Sequence, residues 1–345
     1  MELGQAIQHG NLSYGSVGAR FEEALSRELE VPYVTLVTSG SVGLLVALRC
    51  LGVSAGDEVI VPARTFQATA NAAVFLGARA IPVDVLEHSA LMDPAALEPA
   101  ITPRTRAIIP VHLNGRACEM EPLQKIADRH GIPIVEDAAQ ALFSRGRHGL
   151  CGTSGKIGVF SLGVTKFLTS AQGGVLVTRD AAIHTEIRRY LKHAVEFSPE
   201  ELYPEFGFNF RLPDLLTTLA FRQFNERNEL KNRYLEVHAR YRDLLGSSSR
   251  LTLLPSDRGS GEIPIWTEVL ARDRAAVVSR LESLGIESRP FIPSMNECAY
   301  LGANPSAKQF PRASLFSAAG LTLPCGPELG SDAFRRISQA LEPLL

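Results

Sequence analysis

The chain has few cysteines, no run of basic residues, no apolar stretch of membrane length and no internal repeat, and each lack removes a class of function. Cys50, Cys118, Cys151, Cys298 and Cys325 are scattered, odd in number and never in CxxC spacing, which argues against a disulfide framework and a zinc site. No metal is expected, and a reducing cytoplasm fits this usage. Lys plus Arg (35) nearly cancels Asp plus Glu (37), and no basic tract could follow a phosphate backbone, so nucleic acid is not an expected partner. The first residues show no basic segment leading into an apolar core, and no apolar run reaches the roughly 20 residues that span a bilayer. The expectation is a protein neither exported nor membrane-bound. Gly15-Ser16-Val17-Gly18 is neither a GxGxxG fingerprint nor a Walker loop.

What is present is an apolar fraction of 45% over 345 residues, enough for a large core and a division into two domains. From Val34 on, β-branched runs alternate with helical patterns: Val34 to Thr38, then Val42 to Leu51; Glu58 to Val61, then Gln67 to Leu76; Ala80 to Val83, then Pro94 to Ala100. The rhythm continues through Ala107 to Val111, the amphipathic Met120 to His130, Ile132 to Glu136 and strand candidates around Val159 and Val175. It predicts a mostly parallel sheet covered by helices on both faces. Pro213 to Leu245 reads as one or two long helices. Pro and Gly then punctuate 247–264, which places a boundary after residue 246: a large domain over 1–246 and a small C-terminal α/β domain over 247–345.

Three segments carry candidate chemistry. Ile134-Val-Glu-Asp137 is a strand ending in a carboxylate, and open α/β sheets meet their ligands at the carboxyl ends of strands. An Asp after a strand is also a common helix N-cap. Phe160-Ser161 through Lys166 to Gly173-Gly174 holds one Lys in an uncharged, apolar stretch; desolvation there would pull its amine toward neutrality, as Schiff-base formation requires. The alternative is a surface lysine lying along apolar neighbours. Ser39-Gly40-Ser41, between a strand and an apolar helix, can present free backbone N–H groups to a phosphate, or can simply cap the helix. An amine for an aldehyde, an acid for a ring nitrogen and a seat for an anion are together the parts that pyridoxal 5′-phosphate (PLP) requires.

The ordered motifs resemble the DegT/DnrJ/EryC1/StrS group of fold-type I PLP enzymes, the sugar aminotransferases, over nearly the whole chain. They are Tyr14-Gly15 with Phe21-Glu22, Ser39-Gly40-Ser41, Gly56 to Ile60, Thr65-Phe66-Gln67-Ala68-Thr69, Val111-His112-Leu-Asn-Gly115, Glu136 to Ala141, Phe160 to Gly174 and Gly207-Phe208-Asn209-Phe-Arg211. The resemblance implies a seven-stranded-type, mostly parallel sheet in the large domain. It also implies Lys166 as Schiff-base lysine and proton carrier, Asp137 as partner of the pyridinium nitrogen, Gln140 near the ring hydroxyl and Phe66 stacked on the ring. Gly40, Ser41 and Ser161 would bind the phosphate, and Asn209 would reach the phosphate of the other subunit's cofactor, which makes a homodimer with shared active sites part of the expectation.

The implied reaction is amino transfer from L-glutamate or L-glutamine to a keto-sugar, nucleotide-linked as first choice, through pyridoxamine 5′-phosphate. A cyclitol or a non-nucleotide sugar is the alternative acceptor. A sugar dehydratase of the same group would carry His in place of Lys166. The family's Gly-Glu-Gly-Gly stands here as Ala171-Gln172-Gly173-Gly174, without the carboxylate. Acceptor choice is expected in the loops around Glu196 to Glu205 and Pro290 to Ser306.

Overall fold

The computed structural model describes residues 3–8, 10, 12–195, 205–301 and 309–345. Of the two loops expected to choose the acceptor, residues 196–204 and 302–306 lie outside this set.

The β-branched runs form the strands β1 (Tyr33–Val37), β2 (Glu58–Pro62), β3 (Arg79–Val83), β4 (Thr105–Ile108), β5 (Val135–Asp137), β6 (Ile157–Ser161) and β7 (Gly174–Thr178). Three parallel strands run in the order β3-β2-β4, and four more in the order β1-β7-β6-β5. Parallel bridges from Ile108 to Ile134 and from Val111 to Asp137 join the two groups edge to edge. The joined sheet has seven strands, with β7 alone antiparallel to its neighbours β1 and β6. Fold type I is thus the observed architecture.

Both faces of this sheet are apolar, as burial under helices on each side demands. Val59, Val61, Val135, Val159 and Leu176 pack with Leu44, Ala47, Ala70 and Ala73 of the helices Gly40–Cys50 and Ala68–Phe75. The alternate residues Leu36, Phe160, Val175 and Val177 pack with Phe21, Leu25 and Leu29 of the helix Ser16–Leu29 and with Phe224. Ile60, Ile108 and Ile134 meet Leu123 and Ile126 of Met120–His130. The N-terminus of Ser16–Leu29 is tied down from far along the chain: the Asp214 carboxylate accepts from the backbone amides of Gly15, Val17 and Gly18 at 2.8–3.1 Å.

The long helical run resolves into two helices, Asp214–Asn225 and Arg227–Leu245. After them, β8 (Leu251–Leu253), β9 (Thr267–Ala271), β10 (Arg289–Pro290) and β11 (Gly320–Leu323) build a second, antiparallel sheet in the order β8-β9-β11-β10. Helices Arg274–Ser283 and Ser331–Leu341 share its core with Val237, Tyr241 and Leu245 of Arg227–Leu245. Among the described residues, no helix is long and apolar enough to cross a membrane.

Candidate active site

The strand ends place the candidate residues on one edge. Asp137 closes β5 and Ser161 closes β6; the turn after β1 carries Gly40 and Ser41, and the turn after β2 carries Phe66. This is the carboxyl edge of the parallel strands, where such sheets bind ligands. Gly174 starts β7 between the ends of β1 and β6, paired with Val37 and Ser161. A Cβ on it would come within 2.6 Å of the Ser39 carbonyl carbon and 2.7 Å of the Gly40 nitrogen, so only glycine lets the β1 turn approach.

Asp137 is 5% exposed. Among the described residues no helix follows it, which removes the N-cap reading. Oδ1 accepts from the Ala139 amide at 3.1 Å in a local turn, and Oδ2 accepts from the Thr69 hydroxyl at 2.7 Å. Thr69 in turn shares a 2.8 Å bond with Thr65. Burial pushes the Asp137 carboxyl up, while the Thr69 and Ala139 bonds and the nearby Lys166 charge hold it back. Lys166 shows the opposite: burial pulls its amine down, and Asp137 opposes the shift. Its Nζ lies 5.1 Å from the ring centroid of Trp266, the chain's single tryptophan, so it does not lie along the surface.

Ser39 caps the helix Gly40–Cys50 by accepting from the Val42 amide, which leaves the first-turn groups of Gly40 and Ser41 uncommitted to the cap. Gly40 abuts Ser161; a Cβ on it would stand 3.0 Å from the Ser161 Cβ. Phe66 is 55% exposed, an aromatic ring left open beside these groups. Buried Gln140 accepts from the Asn114 amide at 2.8 Å through Oε1, leaving Nε2 to donate elsewhere. Asn209 is exposed; its backbone bridges Lys192 and its Oδ1 accepts from Arg211, so within one chain it joins none of the other candidates.

Behind the edge lies a buried layer. The Glu136 carboxylate is engaged by His112 Nε2 at 2.7 Å and accepts from the amides of Gly152, Ser154 and Gly155. Burial alone would raise its pKa, but these donors hold it below the usual value. His112 Nδ1 accepts from the Cys118 amide, which fixes the Nε2–H tautomer facing Glu136. His112 is therefore a scaffold residue of the β4 and β5 ends.

The sequence reading did not single out Thr69, Trp266 or Asn114. Asn114 sits at φ 53°, and the following Gly115 at φ 76°, where a Cβ would strike the Ile263 carbonyl. An Asn-Gly pair after a strand is the signal that could have pointed to this backbone requirement.

Comparison with known proteins matches these observations. The model of the DegT/DnrJ/EryC1/StrS aminotransferase family matches residues 1–342. GDP-perosamine synthase of Caulobacter vibrioides is 30% identical over 339 residues, covering 96% of this chain and 91% of that protein. UDP-4-amino-4-deoxy-L-arabinose–oxoglutarate aminotransferase of Shewanella sediminis is 32% identical over 262 residues, covering 73% and 67%. The solved structure of S. venezuelae DesV in complex with a ketimine intermediate is 30% identical, with a TM-score of 0.93 over 99% of this chain and 92% of that one. The chain belongs to the DegT/DnrJ/EryC1/StrS aminotransferase family and is a fold-type I, PLP-dependent aminotransferase.

Proposed function

We propose that this enzyme moves an amino group from L-glutamate or L-glutamine to the ketone of a sugar, with a nucleotide-linked keto-sugar as acceptor and a cyclitol or non-nucleotide keto-sugar as the alternative. The names of the two relatives above, one a GDP-sugar and one a UDP-sugar enzyme, support the nucleotide-linked choice. The observation that carries the reading is the desolvated Lys166 amine above Trp266, coupled to the buried Asp137.

The residues fit PLP. The Gly40–Ser161 contact forms a cradle that a Cβ would fill, Phe66 offers an open aromatic face, and Asp137 is an enclosed carboxylate with one oxygen on Thr69. When bound, the cofactor supplies a carbonyl for amines and a ring that withdraws electrons from the carbon under attack. Asp137 would hold negative charge against the ring nitrogen, and Gln140 Nε2 would donate to the ring hydroxyl. Gly40, Ser41 and Ser161 would hold the phosphate and Phe66 would cover the ring. Lys166 would move the proton from the donor's α-carbon to the ring-side carbon of the cofactor, and would run the same transfer in reverse with the acceptor; an amine whose pKa is pulled down can both take and give a proton.

The reading includes a homodimer in which Asn209 reaches the partner's phosphate seat, supported by its exposure beside the open rings of Phe206 (67% exposed) and Phe208 (39%). It also keeps the division at residue 246, with the helix Arg227–Leu245 packing its last turns against the second sheet, and a cytoplasmic setting. The test is the visible spectrum of the PLP-loaded protein before and after L-glutamate. A yellow band that gives way to a shorter-wavelength one supports the donor half-reaction; a band unmoved by glutamate and glutamine alike rejects both donors.

A further inference from the structure

Arg64 is a buried cation with no acceptor among the described residues. It follows β2, is 5% exposed, and its guanidinium carbon lies 4.3 Å from the ring centroid of Phe291. Among the described residues none accepts a hydrogen bond from its guanidinium, and Nε is fully enclosed without a partner. The carboxylate close enough to act on it is Glu268, but Glu268 is already taken by Arg116, which also donates to the Ser89 carbonyl. Both members of that pair are buried. Among the described residues two guanidinium groups therefore share one carboxylate and leave one positive charge over. His238, near Arg116 and Arg258, is held neutral by burial and adds no charge to the cluster. Burial pulls Arg64 below its usual pKa, but an arginine stays charged regardless.

Such a charge is costly to a folded chain unless a partner arrives. The position says where that partner would come from. Arg64 precedes Thr65, the start of the hydroxyl chain to Thr69 and Asp137, and lies two residues before Phe66. Glu268 lies two residues beyond Trp266, whose ring sits beneath the Lys166 amine. The surplus charge is thus bracketed on both sides by active-site residues. Every amino-acid donor carries a carboxylate on the carbon that gives up its proton, and the planar guanidinium fork matches a carboxylate. We propose that Arg64 is the carboxylate-binding residue of the substrate pocket and takes the carboxylate of the amino donor, with the Arg116–Glu268 pair holding it in place. The proposal rests on the transaminase reading above.

The test is calorimetric titration of the PLP-loaded enzyme with glutarate, an unreactive dicarboxylate, and with glucuronate, which carries its acid on a sugar. In Arg64→Met, glutarate affinity should fall tenfold or more, and Arg64→Lys should recover part of it. The melting temperature of Arg64→Met should equal or exceed that of the wild type, because the variant removes an uncompensated buried charge at similar volume. Unchanged glutarate affinity overturns the proposal. A marked drop in melting temperature also overturns it, since it makes Arg64 structural. Loss of glucuronate binding alone overturns the donor assignment and gives the carboxylate to the acceptor. The wild-type cofactor band checks the transaminase reading separately: with no band that reading fails, whatever glutarate does.

Discussion

Asn114 and Trp266, 152 residues apart, exchange two hydrogen bonds: Asn114 Nδ2 donates to the Trp266 carbonyl at 2.9 Å, and the Trp266 amide donates to Asn114 Oδ1 at 2.8 Å. The next alternate pair, Arg116 with Glu268, continues the same zipper. A side-chain amide thereby does what a neighbouring strand would do. It holds the segment entering β9 over the end of β4 and sets the Trp266 ring beneath Lys166. Asn114→Ala should cost about 2–4 kcal/mol, because it leaves both Trp266 backbone groups without their partners. Ala also tolerates the φ 53° backbone poorly, so Asn114→Gly should be less damaging by about 1 kcal/mol. Urea unfolding followed by the fluorescence of the single tryptophan reads both; equal stability of all three proteins would refute the zipper's role.

The Thr69 bond to Asp137 gives a graded prediction. Removing the hydroxyl in Thr69→Val takes away one of the groups that oppose the burial-driven rise of the Asp137 pKa, which pushes the carboxyl further toward its neutral form. A neutral Asp137 cannot hold charge against a pyridinium. We expect Thr69→Val to lower kcat about tenfold and Asp137→Asn by about a hundredfold or more, in line with the loss of one versus all of a buried charge-assisted contact. A Thr69→Val enzyme with wild-type kcat would separate the hydroxyl from the carboxylate's function.

Lys166 is the stricter test. Lys166→Ala should abolish the visible cofactor band and lower turnover by at least about a thousandfold, since general acid–base catalysis alone contributes 10²–10⁴. Lys166→Arg keeps a cation over Trp266 but cannot give up its proton, so it should be equally inactive while retaining the fold by circular dichroism. Activity in the Arg variant would mean that the proton moves through another group.

Much of this was legible in the sequence, for definable reasons. Met120–His130 was readable because Leu123, Ile126 and Ala127 recur at helical spacing and Gly131 at φ 63° stops the run. Lys166 stood out as the one charge in an uncharged, apolar stretch, and Asp137 as the carboxylate that ends a strand. The strand Gly320–Leu323 was missed: four residues that follow a helix without a turn signal carry no period of their own, yet it lies inside the second sheet between β9 and β10. Arg64, Asn114 and Trp266 were missed because their meaning lies in contacts far apart in sequence, which no local pattern records.

Ala171 offers a test of local strain. It stands where the family's motif has glycine, and its φ of 66° is in the left-handed region. A Cβ there costs about 1–2 kcal/mol, of which the extra freedom of glycine in the unfolded chain returns about 0.4–1. Ala171→Gly should therefore stabilise by about 0.5–1 kcal/mol in urea unfolding, and Ala171→Val should destabilise further, because a β-branched side chain fits this region worst. The order Gly, Ala, Val in falling stability is the expected result; a flat series would place no strain at this turn.

His238 sets an acid limit on stability. It is buried on the helix Arg227–Leu245 with Nδ1 unpartnered among the described residues, and burial, reinforced by the charges of Arg258, Arg116 and Arg242, pulls its pKa from 6.5 to about 4. Above pH 6.5 neither the folded nor the unfolded state protonates it, and it contributes no pH dependence. As pH falls from 6.5 toward 4, the unfolded chain takes up a proton that the folded protein refuses, so stability is lost across that window. At pH 5 the loss should be about 2 kcal/mol, from the linkage of the two pKa values. His238→Gln cannot titrate and should lose about that much less stability than the wild type between pH 7 and pH 5, as read from urea midpoints at the two pH values. If the two proteins weaken in parallel, the folded protein accepts the proton at His238, and the acid sensitivity belongs to its carboxylates instead.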